Sequence, residues 1–191
     1  MKNHKRLSGF TKKETRWDLY PRFLNLIKGG FEVEAFLLIL STWNFARFRY
    51  VVRSFDLGKF IIILKKIEPL FAKFYNLNFG TINFLKYKGE IKKIFNTLSG
   101  IRGIEKTGAT KLMHLKAPSV FVMWDGYIRK YYGFENGDAE DYVNFLILMQ
   151  KSFGNSGATG DRTLAKIIDE YNFKKITMPI LWPKEKKLQG S

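Results

Sequence analysis

An all-α fold is predicted by three features of the 191-residue chain. Apolar residues recur at three- and four-residue spacing along most of its length. No stretch alternates apolar and polar residues as a half-buried strand would. Gly, Pro and Asn/Asp positions punctuate the periodic runs where helices have to stop. With 46% apolar and 16% aromatic residues, the chain can fill one substantial core, or two small lobes sharing a groove. One compact unit spanning 1–191 is the simplest organisation.

Residues 1–10 are polar and basic without periodicity and read as a loose arm. A first helix begins near Thr11, with Trp17, Tyr20, Phe23, Leu24 and Ile27 on one face, Pro21 bending or resetting it, and Gly29-Gly30 ending it. Phe31 to Arg49 is a second helix, apolar on most sides and therefore expected to be central. A third runs from Phe55 through Leu64 to Pro69, and a short helix to Phe74 leads into a loop from 76 to 83. Lys88 to Leu98 sets Ile91, Ile94, Phe95 and Leu98 against Lys92 and Lys93 on the opposite face. Ser99 to Gly103 is a turn, Thr107 to Leu115 resumes a helix, Ala117-Pro118-Ser119 interrupts it, and Asp125 to Tyr132 forms the next. After the loop from Gly133 to Gly137, Asp138 caps a helix whose core face is Tyr142, Phe145, Leu146, Leu148 and Met149. Gly154 to Gly160 is a connector, and a last helix from Arg162 to Tyr171 is built on Leu164, Ile167 and Ile168. Asp169 and Glu170 read as its solvated face, while Arg162 and Lys166 are candidates for a phosphate-facing surface. Residues 184–191 are a basic tail.

Thirty-three Lys and Arg against seventeen Asp and Glu leave a formal net charge of +16. A positive field of that size predicts a polyanionic partner. Duplex DNA fits best, because counterion release rewards a distributed cationic surface, whereas a membrane-surface protein concentrates its charge on one amphipathic helix. A merely soluble basic protein is the competing reading. There is no cysteine, which excludes disulfides, thiolate nucleophiles, Cys-ligated zinc and iron–sulfur clusters. The longest apolar runs, Ala35 to Leu40 and Phe60 to Leu64, are too short to span a bilayer, and Met1 to Phe10 lacks the apolar segment of a secretory signal. The expectation is an intracellular protein, cytoplasmic or nucleoid-associated, monomeric and without a membrane partner.

The stretch from Leu98 to Leu115, LSGIRGIEKTGATKLMHL, carries the chemistry. Two helices joined by a short Gly-containing hairpin present backbone N–H groups at the start of the second helix, where the macrodipole also favours an anion. Such a site grips phosphate without reading bases. Gly100 and Gly103 supply conformational freedom for the turn, and Ala109 lets the helices cross closely. Pro118 to Gly133, PSVFVMWDGYIRKYYG, then places one acid after an apolar run at a helix start.

From Leu98 to Gly133 the chain resembles the core of the helix-hairpin-helix (HhH-GPD) DNA glycosylases, in which an LPGIG-x-KTA hairpin and helix lead through an apolar stretch to a V-D-T-H-V motif. The resemblance implies a two-lobed helical glycosylase fold with its hairpin at about 98–115. It gives Gly103 and Ala109 the hairpin Gly and helix Ala positions, Asp125 the catalytic aspartate, and Tyr127, Ile128 and Arg129 or Lys130 the residues that follow. Phe31 to Arg49 is similar to the family helix ending Leu-Ser-Gln-x-Thr, which would bring Ser41, Trp43 and Asn44 near an opened duplex. DNA contacts are expected from Gly100, Ile101, Arg102, Gly103, Ile104, Thr107, Gly108, Asn44 and Arg129, and a base pocket or wedge from Trp43, Trp124 or Tyr127. For each aromatic residue, and for Trp43 and Trp124 above all, core packing is the competing reading, and for Asp125 it is helix capping, which does not exclude the catalytic role.

A carboxylate in a poorly solvated pocket stabilises the positive charge that builds on the sugar as an N-glycosidic bond breaks, and it can activate water. Bifunctional members of the family add a lysine nucleophile that forms a Schiff base and cleaves the strand. Here Thr107 occupies that position when Gly103 and Ala109 are aligned, Lys106 lies one residue away and 19 before Asp125, and Lys111 shares roughly the face of Thr107. Either lysine, or neither, is compatible with the pattern. His114 beside Met113 and Leu115 reads as a structural histidine, and neither it nor His4 belongs to a metal-ligand pattern. The implied cofactor set is empty apart from a monovalent cation at the hairpin. A non-catalytic DNA-binding module of the same fold, and an enzyme acting on modified DNA bases, are the alternatives.

Overall fold

The computed structural model describes residues 15–157 and 162–182. The expected arm (1–10), part of the connector (158–160) and the tail (184–191) lie outside them. The described chain is all-α: α1 (Thr15–Lys28), α2 (Glu32–Trp43), the single turn α3 (Phe45–Phe48), α4 (Leu57–Phe71) with a 3₁₀ turn to Phe74, α5 (Lys88–Ser99), α6 (Glu105–Lys116), α7 (Gly126–Tyr131), α8 (Ala139–Phe153), α9 (Leu164–Asn172), a π turn over Phe173–Thr177, and α10 (Met178–Leu181). Among these residues no helix is long and apolar enough to cross a membrane.

Helix α6 is the hub, packing against α5, α2 and α1, while α5 also packs on α4 and α8. The buried apolar side chains form one continuous cluster. At its centre Trp124 meets Phe95, Tyr142 and Phe145, with ring centroids 4.9 to 6.1 Å apart. A second group, Phe36, Phe48, Phe55 and Phe60, seals the α2–α4 end.

Several boundaries differ from the sequence reading for identifiable reasons. Helix α1 runs unbroken through Pro21. The expected helix from 31 to 49 breaks at Asn44, which leaves helical geometry (φ −119°, ψ 19°) and turns its amide inward. Helix α4 starts on an Asp56 cap, whose side chain accepts from Lys59 N at 2.8 Å, and it continues past Pro69 to Phe71. Helix α8 is capped as expected, Asp138 accepting from Asp141 N at 2.9 Å.

Helix α9 is the largest correction. Lys166 is fully buried, and Asp169 and Glu170 are buried with it. The expected solvated face is therefore an interior ion cluster, with Lys166 Nζ 2.7 Å from Asp169 Oδ2 and 3.7 Å from Glu170 Oε1. Arg162 stays exposed and reaches Glu170 from outside at 2.5 Å.

A buried strut outside any helix, Phe121 to Trp124, links α6 to α7. Such a segment has no helical or sheet ladder to satisfy its peptide groups, so side chains must do it. Tyr142 Oη donates to Val122 O at 2.9 Å. His114 Nδ1 donates to Phe121 O at 2.6 Å. Thr110 Oγ1 accepts from Trp124 N at 3.3 Å. Because a carbonyl can only accept, His114 carries its proton on Nδ1, and its Nε2 accepts from Tyr20 Oη at 2.7 Å. His114 is thus the satisfied structural histidine its sequence context suggests.

Burial, then the positive charge of Lys166, depress the His114 pKa to about 3. A group whose folded-state pKa lies below its ordinary value contributes full stability above about 6.5 and loses it as pH falls toward that depressed value. At pH 5 the loss is about 2 kcal/mol. Burial raises the pKa of Glu170, so that group acts in the opposite sense and gains as pH falls. Thermal unfolding between pH 8 and 4.5 is expected to show Tm falling below pH 6.5 in the wild type, and the slope is expected to flatten in His114→Gln. Equal slopes would place the acid sensitivity elsewhere.

Candidate nucleic-acid interface and aspartate site

The turn between α5 and α6 is closed by Ile101 N to Leu98 O at 3.1 Å, Ile104 N to Ile101 O at 3.0 Å and Glu105 N to Ile101 O at 3.2 Å. Gly103 sits at φ +89° and Glu105 at φ +52°, so the chain reaches α6 through left-handed backbone that only Gly adopts freely. Ile104 is buried and Ile101 half-buried, which anchors the turn, while Gly100 and Arg102 are exposed at its tip. Among the described residues no side chain caps the start of α6, leaving first-turn N–H groups without intrahelical acceptors. An anion there shares the helix start with Glu105, whose carboxylate is held 3.5 Å from Arg47 Nε.

Asn44 ties this turn to α2. Its Nδ2 donates to Gly103 O at 2.9 Å and to Ile104 O at 3.2 Å. At Gly108 the helices nearly touch: a Cβ there would lie 2.9 Å from Asn44 Nδ2 and 3.2 Å from Leu40 Cδ2. Asn44 is therefore a buried clamp behind the turn.

Asp125 emerges at the end of the strut as the N-cap of α7. Its Oδ1 accepts from Tyr127 N at 2.8 Å and Ile128 N at 2.9 Å, and its Oδ2 accepts from Thr177 Oγ1 at 2.6 Å. The residue is half-buried. Thr177, on the π turn that packs against α7, has no counterpart in the sequence reading, which assigned no element to residues 172–182. Residues spaced three or four apart share a helix face, and α6 uses two faces. Lys106 and Thr110 meet Trp124: Trp124 Nε1 donates to Lys106 O at 3.4 Å, and Lys106 Nζ reaches Asn136 O at 2.5 Å. Thr107 and Lys111 lie further round the helix, where Lys111 Nζ donates to Trp43 O, and His114 sits between the two faces, meeting Phe121 O of the strut and Tyr20. Of the two candidate lysines, Lys106 is on the aspartate's side of the helix and Lys111 on the α2 side.

The expected wedge residues divide. Trp124 is only 1% exposed and lies in the core. Trp43 is half-buried, edge-on to Phe23 and beneath Lys166 Nζ at 4.8 Å. Tyr127 is exposed. Arg129 is half-buried, its guanidinium 5.6 Å from the centre of the Trp124 ring and lodged where a Gly137 side chain would stand. Ser41 is exposed at the end of α2. Among the described residues no group of three His, Cys, Asp or Glu gathers in a way that could hold a metal ion. A cavity of about 550 Å³ opens beside the turn between Gly100–Arg102 and Val51–Phe60, and another of about 660 Å³ lies between Asn78–Thr81 and Arg162–Leu164. Asp125 lines neither of these cavities.

No protein-family model, no curated protein and no solved structure matches the chain.

Proposed function

We propose that the protein binds duplex DNA and excises a base from it, as a divergent helix-hairpin-helix glycosylase with Asp125 as its catalytic carboxylate. The observation that carries this reading is the continuous arrangement of turn, α6, strut and aspartate. Thr110, His114 and Tyr142 pin the strut, so that Asp125 is held at a helix start on the Lys106 side of α6. The charge of +16 supports a DNA partner through counterion release. Asp125 stabilises the cationic sugar as the base departs and orients the attacking water. Lys106, through its amine, is the candidate for attack on the sugar in a lyase step. One observation favours the alternative of a DNA-binding protein without chemistry: both oxygens of Asp125 already accept hydrogen bonds from the protein.

End-labelled duplexes carrying uracil, 8-oxoguanine, hypoxanthine, alkylated bases, a G·T mismatch or an abasic site separate the two. Asn is also a good N-cap, so Asp125→Asn keeps α7 and isolates the chemistry. Its rate of alkali-revealed cleavage on the preferred substrate is expected to fall by about 100-fold or more, with Tm within a degree or two of wild type. Borohydride trapping lost in Lys106→Ala but kept in Lys111→Ala would identify the amine. Tight, salt-sensitive binding of every duplex with none cut would leave the binding protein as the answer.

A further inference from the structure

The surface next to the turn is unusual in what it leaves uncovered. Phe45, Tyr50 and Val52 are 53%, 70% and 55% exposed, and Arg47, Arg49 and Arg53 are exposed among them. Phe48 and Val51 point the other way and are buried. They fasten the segment down, and Val51 packs directly on Gly103. The Arg49 guanidinium lies 4.7 Å from the centre of the Tyr50 ring and 5.6 Å from that of Phe45, with its Nη2 2.6 Å from Tyr50 Oη. Asn44 and the Arg47–Glu105 pair join this strip to the turn. The 550 Å³ cavity opens just beyond the strip, lined by Val51 and Phe55 on one side and by Ile101 and Arg102 of the turn on the other.

Contiguous exposed aromatic residues mark a binding surface. A protein partner would have to desolvate three arginines to cover these rings, and the cores of such interfaces are depleted of charge. A nucleic-acid strand supplies what both residue types need: phosphates for the guanidinium groups and base faces for Tyr50 and Phe45. An intact duplex keeps its base faces stacked on one another, so the strip matches a strand whose bases are free. We propose that residues 45–53 form a stacking platform for unpaired bases of a DNA strand, contiguous with the turn at 100–104. This rests on the DNA-binding part of the reading above and is independent of any chemistry at Asp125.

The test uses the full chain and fluorescence anisotropy with three labelled DNAs: an intact duplex, the same duplex with a three-nucleotide single-stranded gap, and the gapped duplex with 2-aminopurine in the gap. Wild type is expected to prefer gapped over intact duplex by about tenfold or more and to quench 2-aminopurine. The F45A/Y50A double variant changes only exposed side chains and is expected to lose preference and quenching while binding the intact duplex unchanged. Preference or quenching that survives in F45A/Y50A, or is absent from wild type that binds intact duplex, overturns the platform and leaves the DNA reading standing. Failure to bind any of the DNAs overturns both. Sedimentation that shows self-association abolished by F45A/Y50A, with DNA affinity untouched, would assign the strip to a copy-to-copy contact and overturn it as well.

Discussion

Lys166→Met is expected to destabilise the protein by about 3–5 kcal/mol at pH 7.5, lowering Tm by roughly 10 °C. The substitution keeps length and apolar bulk, so the loss is electrostatic in origin. Lys166 is wholly buried, with the carboxylates of Asp169 and Glu170 around it. Its ammonium also lies 4.7 Å from the centre of the Tyr20 ring and 4.8 Å from that of Trp43. Removing the cation leaves two buried acids with only partial compensation, from Arg162 reaching Glu170 from solvent and from the charge of Lys174 near Glu170. The defect is expected to shrink between pH 7.5 and 5, because burial already raises the pKa of Glu170 and the loss of Lys166 removes the charge that opposes its protonation. Removing the whole cluster, as in Lys166→Met/Asp169→Asn/Glu170→Gln, is expected to recover most of the loss, since a satisfied buried ion cluster contributes little against a neutral one. Chemical denaturation of the three proteins at both pH values measures this. A single variant as stable as wild type would mean that water enters the site and solvates the acids.

Gly103→Ala is expected to cost about 2–4 kcal/mol, from two separable sources. At φ +89° any side chain strains the backbone by about 1 kcal/mol or more. The new Cβ would also stand 2.1 Å from Val51 Cγ2, and forcing extra atoms into a packed contact costs about 1–3 kcal/mol. Val51→Ala removes that methyl, after which the nearest atom is the Val51 Cβ at 3.3 Å. The double variant Gly103→Ala/Val51→Ala should therefore be more stable than the sum of the single losses predicts, by about 1–2 kcal/mol. Strict additivity in a denaturation cycle would show that the turn shifts away from Val51 to admit the methyl. DNA affinity, under the proposed reading, falls in Gly103→Ala and returns in step with stability in the double variant.

What was legible in the sequence is what depends on neighbours in the chain. The periodicity of Ile91, Ile94, Phe95 and Leu98, the cap at Asp138 and the position of Asp125 at a helix start are local, and each is found in the structure. The break at Asn44 was hidden because the apolar pattern runs straight through it; what turns the side chain inward is a pair of carbonyls at 103 and 104. Lys166, Asp169 and Glu170 look like an ordinary charged helix face, and only the packing of Tyr20 and Trp43 from distant helices encloses them. Their i, i+3 and i, i+4 spacing was the available sign that they pair. Of the three aromatic residues expected at the wedge, Tyr127 is exposed while Trp124 is in the core, and Phe45 and Tyr50, which the sequence reading does not single out, are exposed as well; composition alone does not distinguish them. The contact between Thr177 and Asp125 spans 52 residues, and no local pattern encodes it.

The Asn44 clamp has a consequence for how the molecule is put together. The carbonyls it holds belong to residues 59 and 60 positions further along the chain, and the close approach at Gly108 depends on Leu40 from the same helix. The turn at 100–104 is therefore not a portable cassette. A peptide comprising only α5 and α6 would keep its helical propensity but lack the template that sets the path between them. Grafting it onto another scaffold would mean carrying α2 along as well.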